Sequence, residues 1–543
     1  MRRLIAFAGI IGLFSAVVGT EAASQKAAES AGGPAVMRKL TQTQYRNTIQ
    51  DIFGSVTLNG RFDPDPRAEQ LVAVGAGKTT VTPSGFEGYD RIAGGIATQV
   101  VDARRREQYL PCKPASTTAA DNACAGQFLS RMGHLLFRRP LTNDELGAFV
   151  KLAADSATQT RDFYQGLELS LTGMLTAPQF LFVHDQKEAD PDHPGGLRLA
   201  PSSMATRLSF MLWNSTPDLP LLEAAERGEL RTPAGLAKQV DRMLASRRLE
   251  AGVRAFFSDM LQFDAYNTLE KDAELYPAYN PKIVGQSQEQ TLRTIVRHLL
   301  EQNGDYRDLF TTRETFMTSM LASAYGVPLD ADYTSDSQWF DFQVPRNVPQ
   351  AGILTHFSFV GLHSHPGRTS PTLRGKALRE ILMCQKVPDP PGNVDFTQFN
   401  ATEGKSMTVR ERLAKHQENP VCAGCHKITD PIGLAFENFD TVGAYRTVDA
   451  KLPIDPSGAL DGAAFKDADG LSKVFHDSPH PAACLVQRVY AYGTGRAPTQ
   501  SEAGWLRDYA RDGFAGKGYR LRTLLRDIAL SPSFYRVLPA DAG

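Results

Sequence analysis

The chain lacks an excess of charge of either sign. Its 543 residues contain 59 Lys and Arg and 60 Asp and Glu, which gives a formal net charge of -1 at pH 7. No run of five like charges occurs anywhere. Proteins that bind nucleic acids or anionic membranes usually carry a basic excess or a basic patch. We therefore expect no nucleic-acid partner.

Apolar runs long enough to cross a membrane are also missing. The run over 4–18 is shorter than the roughly 18–20 residues that a helical span requires. Two arginines precede this run and small residues follow it, which is the pattern of a cleavable secretory signal. The sequence predicts a signal peptide over 1–22, cleaved after Ala22. The mature protein is expected to be periplasmic or secreted, with no integral membrane span.

The motifs of several large enzyme classes are absent as well. The sequence has no Gly-x-Ser-x-Gly elbow, no His-Glu-x-x-His pair and no phosphate-binding Walker loop. Hydrolase and kinase chemistry therefore has no support. Hydrophobic residues make up 42% of the chain and charged residues 22%, which is typical of a folded globular protein. A chain of this length is expected to contain about three to four domains.

Helix signals recur along the chain. Capping boxes, in which a threonine precedes Glu or Gln by three positions, occur at Thr41, Thr142 and Thr408. Helical spacing of apolar residues predicts further helices within 201–260, 289–301, 372–383, 482–492 and 502–510. The Gly- and Pro-rich stretch 55–90 favours loops with short strands. The predicted fold class is mostly α and multi-module.

The most informative motif is Cys422-Ala423-Gly424-Cys425-His426. Two thiols spaced C-x-x-C can each add to one vinyl group of a haem, and the adjacent imidazole can then bind the iron. The motif predicts one covalent haem c, with thioether links at Cys422 and Cys425 and His426 as the proximal iron ligand. It places a c-type-cytochrome-like haem module in the C-terminal third.

Two other readings of these cysteines stay open. A thioredoxin-type dithiol normally opens a helix after a strand in a βαβ unit, and no such alternation surrounds Cys422. A structural zinc site needs two further ligands, for which Cys384 and Cys484 are available. We favour covalent haem over zinc, a disulfide or a redox dithiol.

The sixth iron ligand is a separate question. No methionine follows Met407, so the downstream methionine of simple class I cytochromes c is missing. The site is either open or bound by a residue from this set: His476, His480, His416, Met407, Met383, His365 or His363. His363 and His365 could also bind a metal as a pair, although Pro366 and Gly367 favour a loop. Candidate partners for haem propionates are Arg368, Arg374 and Arg446.

The remaining four cysteines make an even number in a chain expected to be exported. Cys112 and Cys124 enclose a short polar loop and predict a disulfide. Cys384 and Cys484 form either a second disulfide or two buried thiols.

Several segments resemble one family. They are 408–416 with 422–426, 430–433, 437–440 and 443–446 around the motif, and 40–54, 137–142, 207–213, 368–375 and 492–496 elsewhere. In this order they resemble the planctomycete-type cytochrome-c-like multi-module exported proteins, built from domains of unknown function 1592 and 1588 with 1587, 1595 and 1585. The resemblance implies haem c at Cys422, Cys425 and His426 but brings no substrate. It places His416 in the haem pocket, whereas His365 does not belong to the family pattern.

The expected organisation follows from these observations. The predicted modules are 37–125 (helical and irregular), 126–190 (helical), 196–305 (helical), 306–450 (the haem module) and 451–543 (helical). The leading function is electron transfer with a redox partner protein, as or for a periplasmic oxidoreductase. The alternatives are a haem peroxidase or oxygenase with an open sixth site, and a non-redox scaffold that binds an extracellular polymer or a small molecule.

Overall fold

The computed structural model describes residues 32–277, 279–329, 335–389, 407–418 and 420–538. Helices account for 59% of the structure, so the mostly α prediction is confirmed. The predicted signal peptide over 1–22 lies outside the described residues. None of the helices within the described ranges is both long and apolar enough to cross a membrane.

The first helices begin where the capping boxes predict. The Thr41 hydroxyl accepts a hydrogen bond from the backbone N–H of Gln44, whose side chain accepts one from the N–H of Thr41. Thr142 and Glu145 form the same reciprocal pair. The helices of this part are α1 (Gln42–Phe53), α2 (Val72–Gly75), α3 (Pro83–Val101), α4 (Asn122–Phe137), α5 (Asn143–Thr160), α6 (Phe163–Thr176) and α7 (Pro178–Leu181).

One prediction in this part is wrong. The stretch 55–90 was expected to form loops with short strands, yet α3 already begins at Pro83. Thr82 caps that helix by accepting from the N–H of Gly85, and proline suits the first helical turn because its missing N–H would be unpaired there.

The region 201–260 forms four helices, as its apolar spacing predicts. The helix expected over 289–301 begins earlier, at Pro281, because Asn280 caps it by accepting from the N–H groups of Lys282 and Ile283. It ends in a π-helical turn, Arg297–Glu301. The helices here are α8 (Pro201–Trp213), α9 (Leu219–Glu226), α10 (Pro233–Ala245), α11 (Arg248–Met260) and α12 (Pro281–Val296).

The helices of the C-terminal half also follow the predictions. The segment 372–383 forms α15 and a π-helical turn, Leu378–Leu382. Thr408 and Glu411 complete the third capping box. The helices are α13 (Ser319–Tyr325), α14 (Phe357–Val360), α15 (Pro371–Ala377), α16 (Val409–His416), α17 (Pro420–Gly433), α18 (Ala468–Asp477), α19 (Pro479–Thr494), α20 (Gln500–Asp508) and α21 (Leu521–Leu530).

Strands are short and all ladders between the described ones are antiparallel. The pairs are β1 (Met37–Lys39) with β2 (Phe182–His184), β5 (Glu314–Met317) with β6 (Phe340–Gln343), β7 (Val448–Asp449) with β8 (Leu452–Pro453), and β9 (Gly458–Leu460) with β10 (Ala463–Phe465). A three-stranded sheet has the order β11 (Arg536–Val537), β4 (Leu197–Leu199), β3 (Lys187–Ala189). The last described strand, β11, therefore pairs with β4, which lies much earlier in the chain.

The hydrophobic core crosses the predicted module boundaries. One cluster is built from helices α1 and α3–α7 and includes Tyr45, Phe128 and Phe180. The largest cluster joins residues from Leu71 to Val537, including the helices on which the Cys422 motif rests. Residues from Leu71 onward thus contribute to one shared core, against which the helices of the motif pack.

Candidate functional site

Two helices in backbone contact position the Cys422 motif. The motif lies on α17, which packs against α15. A side-chain carbon added to Gly375 of α15 would overlap the carbonyl oxygen of Thr429, and one added to Gly433 would overlap that of Pro371. Because both glycines lack this carbon, the two helix backbones approach closely. The motif is therefore fixed relative to α15.

The two thiols of the motif are free and partly buried. Their spacing of three residues places both near one face of the helix. The Cys425 thiol donates a hydrogen bond to the carbonyl oxygen of Pro388, with a sulfur–oxygen distance of 3.0 Å. The other four cysteines are paired in disulfides, so Cys422 and Cys425 are the thiols available for covalent chemistry.

His426 is held through one of its two ring nitrogens. Its Nδ1 lies 2.8 Å from Oδ2 of Asp430, one helical turn later, and 3.4 Å from the Thr372 hydroxyl on α15. Its Nε2 makes no hydrogen bond to any residue that the structure describes. A histidine held at Nδ1 in this way presents Nε2 as a ligand to a metal.

Asp430 is the centre of a small polar network. Its side chain is 1% exposed. Oδ1 accepts hydrogen bonds from the hydroxyls of Thr372 at 2.8 Å and Thr429 at 3.2 Å. Oδ2 accepts from the Gln417 amide at 3.1 Å as well as facing His426. Both carboxylate oxygens are thereby satisfied, which a buried carboxylate requires.

His416, at the end of α16, packs directly on the ring of His426. The two ring centroids are 4.7 Å apart and the planes are inclined by 76°. Burial lowers the pKa of His416, and the neighbouring His426 lowers it further. Rings in direct contact leave no room for an atom between them. In this arrangement His416 therefore lies beside His426 rather than across a metal from it.

The His363 and His365 pair lies on a loop between α14 and α15, as Pro366 and Gly367 predict. His363 contacts Phe359 edge to face, with ring centroids 5.0 Å apart, and burial, with Arg374 and Lys271 nearby, lowers the pKa of His363 to about 3. His365 is exposed. Within the described ranges no hydrogen bond, ion pair or ring contact joins either histidine to His426. The role of His365 as sixth ligand stays a prediction.

Two of the other candidate ligands, His476 and Met383, serve elsewhere in the fold. His476 uses Nδ1 on Asp477 at 2.8 Å and Nε2 on Asp308 at 3.2 Å. Met383 is 3% exposed and packs in the large core. Among the described residues, Met407 and His480 make no hydrogen bond or ring contact to His426, so His416 is the predicted candidate that contacts it there.

Two of the three predicted propionate partners have other roles. All three guanidinium nitrogens of Arg374 donate to protein oxygens, at distances of 2.6–3.2 Å. The acceptors are the carbonyls of Val360, Phe436, Phe439 and Asp440 and the hydroxyl of Ser364. Arg446 is tied to Glu437 and Asp449. The propionate assignment is wrong for Arg374, because no N–H remains, and stays a prediction for Arg368.

The predicted Cys112–Cys124 disulfide is present, and Cys384 and Cys484, for which a disulfide and two buried thiols were both open, form a disulfide. Cys112 and Cys124 are joined with a Cα–Cα distance of 5.6 Å, and Cys384 and Cys484 with one of 5.3 Å. The alternative of two buried thiols at Cys384 and Cys484 is therefore wrong. The zinc alternative that relied on them also fails, because sulfurs in a disulfide cannot act as thiolate ligands.

The residues present fit a covalently attached haem. Two free thiols share one helix with an imidazole whose Nε2 is available, which is the donor set that c-type attachment needs. Cys422 and Cys425 would hold the haem through thioether links and His426 through Nε2.

Sequence reasoning missed the importance of Asp430. Its position four residues after His426 on one helix is the spacing that brings two side chains together. This four-residue spacing could have identified Asp430 from the sequence. The contributions of Thr372 and Gln417 could not be found in this way, because they come from other elements.

Five family models match the chain, each described as a protein of unknown function. In chain order they are DUF1587 over 38–102, DUF1595 over 124–185, DUF1592 over 199–327, DUF1588 over 350–449 and DUF1585 over 461–534. The DUF1588 range includes Cys422, Cys425, His426 and Asp430. No curated protein and no solved structure matches the chain.

Proposed function

The chain belongs to the planctomycete-type cytochrome-c-like group that is built from these five modules, and from this we propose an exported electron-transfer protein with one covalent haem c. The proposed attachment residues are Cys422 and Cys425, with His426 as the proximal ligand. When bound, the haem supplies an iron that changes oxidation state. The protein would exchange electrons with a partner protein, as or for a periplasmic oxidoreductase.

One observation carries the proposal. The two free thiols lie on the same helix as an imidazole whose Nδ1 is held by a buried carboxylate. A redox dithiol needs the two thiols but not the held imidazole. A structural zinc site needs two further ligands, and the cysteines proposed for that role are joined to each other. Covalent haem attachment is the chemistry that uses all three side chains.

The packing supports a fixed ligand geometry. The backbone contacts at Gly375 and Gly433 hold α17 on α15, and α15 carries Thr372 to the Asp430 network. A rigid ligand environment limits the rearrangement that accompanies a change of oxidation state. This is an advantage for electron transfer, in which the protein provides binding, orientation and electrostatics.

A second candidate function, a haem peroxidase or oxygenase, is favoured by the placement of the candidate sixth ligands. His416 contacts the His426 ring directly, and His476 and Met383 are engaged elsewhere. The segment 390–406, outside the described residues, contains no His or Met. This distribution favours an open sixth site, at which a small oxidant could bind.

Haem attachment can be tested by mass spectrometry and haem staining of a denaturing gel. The mature wild type, produced in a host that assembles cytochromes c, is expected to carry the mass of one haem. The double variant Cys422→Ser/Cys425→Ser should lose it entirely, because both thioether links are gone. Gly424→Ala is the matched control: an added Cβ meets no atom within 4 Å, so it should keep the haem.

Wild-type protein at the bare polypeptide mass would contradict the proposal. The ferric absorption spectrum then separates the two candidate functions. A low-spin spectrum that does not respond to cyanide supports electron transfer, whereas a high-spin, cyanide-responsive spectrum supports the open site.

A further inference from the structure

We propose that Asp430 is a positioning residue that fixes the ring orientation and tautomer of His426 and lowers the reduction potential of the haem that this histidine binds. The inference rests on the proposed function for its second part. Its first part, the control of His426, concerns only residues of this chain and can be tested without haem.

The geometry fixes the carboxylate that holds the imidazole. Asp430 lies one turn after His426 on α17, with Oδ2 at 2.8 Å from Nδ1. The Asp430 carboxylate is itself immobilised by Thr372, Thr429 and Gln417, which lie on α15, on α17 and just after α16. A side chain held by donors from separate elements cannot rotate without breaking several hydrogen bonds at once. The ring of His426 is therefore held in one orientation.

The charge of Asp430 is directed at the imidazole. The carboxylate is 1% exposed, and His426 is its ion-pair partner among the residues described. The remaining hydrogen-bond donors, two hydroxyls and one amide, are neutral. A buried charge is weakly screened by solvent, so its effect on a group 2.8 Å away is strong.

The chemical consequence follows from the acceptor character of a carboxylate. The Asp430 carboxylate favours the His426 tautomer with the proton on Nδ1, which leaves the lone pair of Nε2 free for a metal. It also increases the basicity of the ligand. A more basic axial ligand stabilises the more positively charged, oxidised iron, so the reduction potential falls.

The first test measures the reduction potential of the purified haem-loaded protein. Asp430→Asn keeps a hydrogen-bonding side chain of the same size but removes the charge, so the potential should shift to a more positive value. The control is Asp461→Asn, which removes a carboxylate that pairs with Arg379 at 2.9 Å instead of with His426. The control should shift the potential less. Equal potentials for wild type and Asp430→Asn, with haem attached in both, would overturn the inference.

The second test needs neither haem nor a variant. Nitrogen-15 chemical shifts of the His426 ring in the wild-type apoprotein report which nitrogen carries the proton. We expect the Nδ1–H tautomer, and a dominant Nε2–H tautomer would overturn the positioning role. If wild type fails to attach haem, the proposed function fails while this measurement still decides the role of Asp430.

Discussion

Arg374 shows how a single buried charge organises the candidate haem module. Its side chain is 0% exposed, and burial lowers its pKa to about 10. Its guanidinium bridges the end of α14, the loop after it and the turn that follows α17. Without Arg374 each of these carbonyl oxygens would lose a charged donor, which costs free energy. Arg374 therefore stabilises the scaffold on which the motif rests.

Replacement of Arg374 should be strongly destabilising. Arg374→Met leaves several buried carbonyls without the guanidinium donor and removes the 3.6 Å ion pair with the buried Glu437 carboxylate, so the free energy of unfolding should fall by about 3–5 kcal/mol. Urea denaturation measures this. The matched control is Lys376→Met on the same helix, whose ion pairs are long, at 3.7 and 3.9 Å. It should change the free energy of unfolding by less than about 1 kcal/mol. Comparable losses in both variants would contradict the role of Arg374.

At the scale of elements, the close approach of α15 and α17 is the feature on which the site depends. Gly375 and Gly433 each face a backbone carbonyl of the other helix. Larger residues would separate the helices and draw Thr372 away from Asp430, to which its hydroxyl donates at 2.8 Å. The helix contact and the polar network are therefore coupled.

Gly375→Ala tests the helix contact. The added Cβ overlaps the Thr429 carbonyl oxygen, and relief of that overlap should cost about 1–3 kcal/mol of unfolding free energy. The control is Gly424→Ala on α17, where the Cβ meets open space. Because alanine has the higher helix propensity, the control should be neutral or stabilising by up to about 1 kcal/mol. Thermal or urea unfolding gives both values, and an unchanged stability for Gly375→Ala would argue against close backbone contact.

At the scale of the whole molecule, the two disulfides differ in what they connect. Cys112–Cys124 closes a local loop with a sequence separation of 12. Cys384–Cys484 has a separation of 100 and links the segment after α15 to α19. The second bridge therefore ties the predicted haem module to the predicted C-terminal module.

The loop lengths predict different stabilities for the two double variants. In the chain-entropy model, loss of the Cys384–Cys484 bridge costs about 5 kcal/mol and loss of Cys112–Cys124 about 3 kcal/mol. We expect Cys384→Ser/Cys484→Ser to have a lower denaturation midpoint than Cys112→Ser/Cys124→Ser. Both should be compared with wild type in urea. The reverse order would show that strain or residual structure, not loop closure, dominates.

Several helix starts of this protein, and the position of its candidate site, follow from local sequence. The boxes at Thr41, Thr142 and Thr408 predict helix starts that the structure forms, because a cap involves residues only three positions apart. The Cys422 motif indicates its chemistry for the same reason: its three functional side chains lie within five residues. Helix α3 was missed in part, since the Gly and Pro residues before it resemble a loop.

What only the tertiary structure decided depends on contacts between distant segments. Arg374 resembled a propionate partner in sequence, but its carbonyl acceptors come from α14 and from the turn after α17. Likewise, the sequence left Cys384 and Cys484 either paired or free, and the fold brings their Cα atoms to 5.3 Å. Spacing along the chain reports neighbours within a few residues, whereas burial and long-range pairing depend on how helices pack. The sequence alone therefore determined that two thiols and an imidazole lie together in the motif, and the tertiary structure decided which side chains surround them.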